Sequence, residues 1–142
     1  MTVIVTDNKL CYSVFRPAEK ILITTFKGVV NYALMREHME NVLHFSENNQ
    51  VLGALVDFRL IRGSYFKIFD HLEKEIYPKL KSRGFNILAF VISDDLLTAN
   101  VTEKLKDVLQ KQNSNIKLYS SLDEAMNWLE KNVPSYNLNY YD

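Results

Sequence analysis

Residues 51–84 read VLGALVDFRLIRGSYFKIFDHLEKEIYPKLKSRG, and this stretch carries the pattern that decides the fold. The continuous apolar run over residues 52–58 predicts a buried strand. From Tyr65 to about Lys81 the apolar residues recur with helical spacing, which predicts an amphipathic helix. Pro78 lies inside that pattern and predicts a kink or the end of the regular helix. A buried strand that leads directly into such a helix is one βα unit of an α/β protein.

The rest of the chain repeats this plan. Asn31 is a predicted helix cap, and the helix that it starts runs to about Glu47. Residues 86–92 form the next predicted strand, and a helical stripe follows over residues 101–109. The last unit is a strand over residues 116–119 and a helix that begins at Ser121. That serine and Glu124 form a capping box.

The first 26 residues have a different pattern. Three short runs rich in β-branched and aromatic residues, at 3–5, 10–15 and 21–26, are separated by turn-forming residues. They predict an antiparallel meander. Strands that are separated by helices pair in parallel, so the fold class is α/β, a mixed sheet with an N-terminal meander followed by βαβαβα units and helices covering the sheet.

We expect a single domain over residues 1–132 and a C-terminal aromatic tail over residues 133–142. The tail contains three tyrosines after Pro134. It is expected to be either unstructured or packed on its own domain or on a partner, since clustered aromatic side chains are uncommon on a free surface. A homodimer through this tail is one form of the second alternative.

Composition narrows the classes of partner. Lys plus Arg equals Asp plus Glu, at 17 each, so no net charge attracts nucleic acid or an anionic membrane. No apolar run approaches the roughly 20 residues of a membrane helix, and the first residues lack the pattern of a signal peptide. The single cysteine, Cys11, lies in an apolar alternation and is predicted to be a buried hydrophobic residue. These observations predict a cytoplasmic protein without a cofactor.

Polar side chains follow the predicted strands at one edge of the sheet. Ligands of open parallel sheets bind beyond the carboxyl ends of the strands. The residues predicted to gather there, and to bind a ligand or partner, are Asp57, Arg59, Arg62, Ser64 and Asp94. If Ser64 opens a helix, the backbone N–H groups and two arginines favour an anion or a phosphoserine at this turn. The alternative is that Ser64 only caps its helix while the arginines are solvated or paired with the aspartates.

Several of these strings together resemble the STAS-like superfamily, which includes sulfate-transporter and anti-sigma-factor-antagonist domains. The similar strings are TTFKGVV, LGALVDFR, ILAFVISDD and YSSLDEAMNWLEK, together with the order of elements from residue 3 to 131. The resemblance implies a non-enzymatic regulatory or protein-interaction module. It also implies a phosphorylatable serine at the place of Ser64, although Gly63 precedes that serine and Arg62 stands where the family has an acid.

Other kinds of chemistry have weaker patterns. Asp57, Asp94 and Asp95 end neighbouring strands and are candidate magnesium ligands, but no phosphate-binding lysine or glycine-rich loop accompanies them. Ser64, His38 and Asp57 contain the residue types of a catalytic triad without a nucleophile elbow. His38 flanks an apolar helix face and is predicted to be a partly buried histidine bonded to a backbone carbonyl.

Two functions remain from different classes. The first is an interaction module that recognises a protein partner or a phosphate at the turn from Asp57 to Ser64. The second is a carrier or sensor of a small apolar ligand between helices and sheet, because folds related to the STAS-like superfamily include lipid carriers. The second function predicts a cavity of several hundred Å³ with an apolar lining, on the order of known ligand pockets.

Overall fold

Six strands form one sheet in the computed structural model, which describes residues 1–134 of the chain. The strands lie side by side in the order of the sequence, from β1 to β6. Their bounds are β1 Val3–Asp7, β2 Cys11–Arg16, β3 Ile21–Val29, β4 Gly53–Arg62, β5 Ile87–Val91 and β6 Asn115–Tyr119. The first three pair antiparallel, and β3 to β6 pair in parallel. The predicted mixed sheet with an N-terminal meander is confirmed.

Three helices are regular, and two of them begin at the expected caps, Asn31 and Ser121. The three are α1 Tyr32–Phe45, α3 Leu96–Gln110 and α4 Leu122–Asn132. The Asn31 side chain accepts from the N–H of Leu34, and the Ser121 side chain accepts from the N–H of Glu124. These bonds satisfy backbone donors that have no partner within the helix.

The helical segment between β4 and β5, α2, covers residues 66–82 and is irregular. It begins as a 3₁₀ turn at Phe66–Ile68, contains a π turn at Leu72–Ile76 and ends as an α-helix at Tyr77–Ser82. Pro78 has no N–H to donate, and the π turn immediately precedes it, with the N–H of Tyr77 bonded to the carbonyl of Leu72. The predicted disturbance at Pro78 is therefore confirmed, as a widened turn.

The helices cover the two faces of the sheet unequally. Helices α1, α2 and α3 pack on one face around a large core, while α4 alone packs on the other. Neighbouring residues of β4 point to opposite sides, with Ala54 in the first core and Leu55 in the second. Since the parallel strands follow one another in sequence order, crossovers of one hand place their helices on the same face.

Other predictions concern particular residues. Cys11 is 1% exposed, as predicted, and burial raises the pKa of its thiol to about 12. The predicted tail lies outside the described residues from position 135 onward. Within residues 1–134, no helix combines the length and the apolar character that crossing a membrane requires.

Candidate functional site

Strand β4 is longer than the sequence predicts. It continues past Asp57 to Arg62 because β3 pairs with it along this stretch, with Lys27 opposite Leu60 and Val29 opposite Arg62. The register shifts between Thr25 and Lys27, so β4 contains an extra residue, a β-bulge. Asp57, Arg59 and Arg62 are thus strand residues rather than turn residues, and the prediction of a turn from Asp57 to Ser64 is wrong in this respect.

Asp57 is buried and bound by Arg59. The Arg59 side chain donates from Nε to Oδ1 (3.0 Å) and from Nη2 to Oδ2 (2.9 Å) of Asp57, and the Arg59 backbone N–H donates to Oδ1 as well (3.0 Å). Only 4% of Asp57 is exposed. The hydrogen bond that the Arg59 side chain donates to the Asp57 carboxylate raises the pKa of the Arg59 guanidinium. The ion pair occupies the Asp57 carboxylate, so Asp57 is not free to coordinate a metal, and it engages Nε and Nη2 of Arg59.

Ser64 does not cap an α-helix. Its Oγ accepts weakly from the N–H of Phe66 (3.3 Å), and a short 3₁₀ turn follows. The Tyr32 hydroxyl donates to the Ser64 carbonyl (2.8 Å), which ties this loop to the start of α1. The predicted anion site at a helix N-terminus opened by Ser64 therefore lacks its helix, because α2 begins with the tighter 3₁₀ geometry.

The helix that begins at this edge is α3, and Asp95 caps it. The Asp95 carboxylate accepts from the N–H of Thr98 (3.1 Å) and from its hydroxyl (2.7 Å). These hydrogen bonds hold the pKa of Asp95 below its usual range. The Thr98 hydroxyl also lies 3.2 Å from the carbonyl oxygen of Gly63, so α3 is tied to the end of β4. A carboxylate already occupies the positive end of this helix dipole.

An open cleft of about 420 Å³ lies between the end of β4 and the start of α3. Its lining consists of Arg59, Ile61, Arg62, Gly63, Ser93, Asp94, Asp95 and Leu97. Three of the five predicted site residues, Arg59, Arg62 and Asp94, are therefore brought together. Asp57 lies behind Arg59, and Ser64 follows the lining residue Gly63. The binding role of all five stays a prediction.

The sequence interpretation missed a group of exposed apolar side chains at this edge, called the apolar rim below, of which Leu97 also lines the cleft. Five large apolar side chains at this edge are more than half exposed: Val29, Leu60, Phe66, Leu96 and Leu97. Val29 and Leu60 lie near the ends of β3 and β4, and the other three begin α2 and α3. The signal in the sequence was the pair Leu96-Leu97 directly after the Asp95 cap, a position in the first turn of a helix that faces away from the core.

Hydrogen bonds between side-chain hydroxyl groups join the β4–α2 loop to α3 beside the cleft. The Tyr65 hydroxyl lies 2.5 Å from Oγ1 of Thr102, and the Thr102 hydroxyl donates to the carbonyl of Thr98 (2.9 Å). Tyr65 is 1% exposed, and burial raises its pKa. Because Tyr65 directly follows Ser64, these bonds fix the β4–α2 loop against α3.

A separate cavity of about 110 Å³ lies between the sheet and the three helices that cover it. Its lining is almost entirely apolar, with His38 and Thr24 among the few polar residues. The volume is smaller than the several hundred Å³ that the carrier hypothesis predicts.

His38 lines this cavity with a buried ring. Its Nδ1 lies 2.8 Å from the Thr6 hydroxyl, so its partner is a side chain and not the predicted backbone carbonyl. Burial lowers the pKa of His38 to about 4. His38 lies on the helix-covered face of the sheet together with Thr6, whereas Asp57 lies on the opposite face in the row of Thr25 and Val91. The structure therefore does not assemble the triad of Ser64, His38 and Asp57.

The candidate magnesium ligands are also not grouped into a metal site within residues 1–134. Among residues 1–134, no three His, Cys, Asp or Glu side chains are grouped so that they could hold a metal ion. Asp57 is bound by Arg59 and Asp95 caps α3, which leaves Asp94 as the one exposed carboxylate of the three candidates without such a bond.

Comparison with known proteins finds matches among solved structures. No protein-family model and no curated protein matches the chain. The chain is similar to the crystal structure of an uncharacterized protein of the DUF3478 family from Shewanella loihica PV-4, at 15% identity and a TM-score of 0.49, over 91% of this chain and 92% of that one. That protein is described as having a SpoIIAA-like fold, which is the STAS-like fold named by the sequence resemblance.

Proposed function

We propose that this chain is a non-enzymatic protein-interaction module of the STAS-like type, and that it docks its partner on the carboxyl-edge surface. This surface comprises the cleft between β4 and α3 and the five exposed apolar side chains around it. The observation that carries the proposal is the concentration of apolar residues. Of the ten large apolar side chains exposed within residues 1–134, five lie at this one edge.

Exposed apolar residues indicate an interaction site only when they cluster. Single exposed leucines are normal on any protein, but a contiguous apolar patch rimmed by polar groups is typical of an interaction site. Here exposed apolar side chains and charged groups of both signs lie at the same edge, and protein–protein interfaces combine apolar with polar contacts. A macromolecular partner is large enough to contact both the apolar side chains and the charged groups.

A free phosphate or another small anion is a weaker candidate for this surface. The Arg59 guanidinium is engaged by Asp57, and the Asp95 carboxylate occupies the N-terminus of α3. Arg62 alone remains, with two aspartates beside it in the cleft. Since an anion gains little from one exposed arginine next to carboxylates, phosphate recognition would depend on a phosphorylated partner that also contacts the apolar rim.

A quantitative pull-down tests the proposal with matched variants. The edge variant Leu60→Ser/Leu97→Ser removes rim contacts, and the control Ile4→Ser/Tyr12→Ser removes two side chains of similar exposure on the meander. Loss of two central apolar contacts is expected to lower recovery of the partner roughly tenfold or more, while the control retains it. Arg62→Ala and Ser64→Glu then test the predicted cleft residues. Equal recovery with the edge and control variants contradicts the proposal.

The second candidate function, binding of a small apolar ligand, is favoured by the internal cavity. A dry apolar cavity of about 150 Å³ binds benzene or xenon, so a cavity of about 110 Å³ admits a ligand of one small ring at most. Titration with benzene, followed by NMR, tests this function. Ala54→Leu fills the cavity from the sheet and is expected to abolish the shifts. Absence of saturable shifts in the unmodified chain contradicts the function.

A further inference from the structure

Arg62 and Asp94 are the two charged residues of the cleft that remain unpaired. Both are exposed, and within residues 1–134 neither forms a side-chain hydrogen bond or an ion pair, although Arg62 attracts Asp95 at longer range. The neighbouring charges differ, since Arg59 is bound to Asp57 and Asp95 is bound to Thr98. The carboxyl-edge surface thus offers one cation and one anion to a partner.

We propose that the partner of this surface is a second copy of the chain, related to the first by a twofold axis. This inference rests on the proposed function and names the partner. In a twofold interface each residue pair occurs twice, so Arg62 of one protomer meets Asp94 of the other and the reverse pair forms as well. A surface with one free charge of each sign beside exposed apolar side chains is complementary to itself under this symmetry.

The apolar rim supplies the remaining contact. Leu96 and Leu97 project at the start of α3, and Leu60 projects from the bulged part of β4. Twofold symmetry brings these leucines of both copies into one apolar centre, with the two charge pairs beside it. The net charge of the chain is also consistent with self-association, because equal numbers of acidic and basic residues produce no long-range repulsion between copies.

The surface is also held in place before association. Thr98 joins α3 to the end of β4, and Tyr65 joins the following loop to α3 through Thr102. A surface that is already ordered loses less conformational entropy when it binds, which favours affinity. The two cleft charges therefore sit on connected elements rather than on independent loops.

Charge reversal in the full chain tests the inference by sedimentation equilibrium and light scattering. The unmodified chain is expected to dimerise. Arg62→Asp and Asp94→Arg each create two like-charge contacts across the axis, so each is expected to weaken the dimer roughly tenfold or more. An equimolar mixture of the two variants restores both opposite-charge pairs, so it is expected to regain the dimer as a heterodimer.

Each outcome decides the inference. Recovery in the mixture supports it, and circular dichroism of the separate variants shows that both remain folded. A monomer at all concentrations overturns it, as does a dimer that neither reversal weakens. In either of these cases the proposed function still stands if Leu60→Ser/Leu97→Ser loses a different partner in the pull-down. If no partner depends on that surface, the proposed function fails together with the inference.

Discussion

Two arginines three positions apart in β4 have different roles. Arg59 folds over the buried carboxylate of Asp57, whereas Arg62 points its charge into the cleft without an ion pair in the described part of the chain. The spacing in FRLIR does not distinguish them, because the β-bulge between Asp57 and Leu60 changes the alternation of side chains along β4. The sequence left open whether the arginines are solvated or paired with the aspartates, and within residues 1–134 Arg59 is paired and Arg62 is not.

We expect Arg59→Ala to destabilise the fold by about 1–2 kcal/mol, because it leaves the buried Asp57 carboxylate without its bidentate donor. The cost stays moderate because Arg59 is partly exposed and water screens the pair. Urea unfolding of the dilute chain measures the change. Arg62→Ala is the matched control and is expected to stay within about 0.5 kcal/mol of the unmodified chain. Equal effects of the two variants contradict this assignment.

The pKa of His38 makes stability depend on pH. Its value of about 4 in the folded chain lies below the ordinary value of 6.5, so the unfolded chain binds a proton that the folded chain excludes. Stability is therefore full above pH 6.5 and falls as the pH is lowered towards 4. Between pH 7 and 5 the unmodified chain is expected to lose about 2 kcal/mol relative to His38→Gln. Urea unfolding at several pH values measures this difference. His44→Gln, at an exposed histidine, is expected to keep the full pH dependence.

At the scale of elements, the sequence predicted each strand and helix, and the errors lie where pairing overrides local pattern. The predicted caps Asn31 and Ser121 were sufficient for the starts of α1 and α4, whereas the stripe over residues 101–109 covers only the later part of α3, which begins at Leu96. The end of β4 was missed because RLIR has no clear alternation, and only its pairing with β3 makes it a strand. The 3₁₀ start of α2 was missed for a related reason: Ser64 has the residue type of a cap but not the geometry.

The packing of α4 on β4 depends on the absence of a side chain at Gly53. A Cβ at this position would lie 2.9 Å from the carbonyl oxygen of Ile87 and 2.9 Å from Cγ2 of Val133. The backbone oxygen belongs to the adjacent strand and cannot move aside alone. We expect Gly53→Ala to cost about 1–3 kcal/mol in urea unfolding, as overpacked cores do. Leu122→Ala on the exposed side of α4 is the control, with a change within about 0.5 kcal/mol. A neutral Gly53→Ala contradicts the close packing.

At the scale of the whole molecule, topology explains why the site was predicted in outline. Parallel strands bring their carboxyl ends to one edge, and this rule alone gathers Arg59, Arg62 and Asp94. The apolar rim depends on where each helix starts relative to the sheet. The hydroxyl ties between Gly63 and Thr98 and between Tyr65 and Thr102 join residues more than 30 positions apart. Neither follows from a local pattern.

Truncation after Pro134 distinguishes two ways of forming a dimer. A homodimer through the aromatic tail is one of the alternatives from the sequence, whereas Arg62 and Asp94, which form no ion pair within residues 1–134, favour the carboxyl edge. Helix α4 ends against Gly53, at the amino end of β4, so Val133 lies at the opposite end of that strand from the cleft. We therefore expect the truncated chain to dimerise as tightly as the full chain in light scattering, and to remain sensitive to Arg62→Asp. If truncation alone produces a monomer, the tail holds the dimer together and the carboxyl edge is left for another protein.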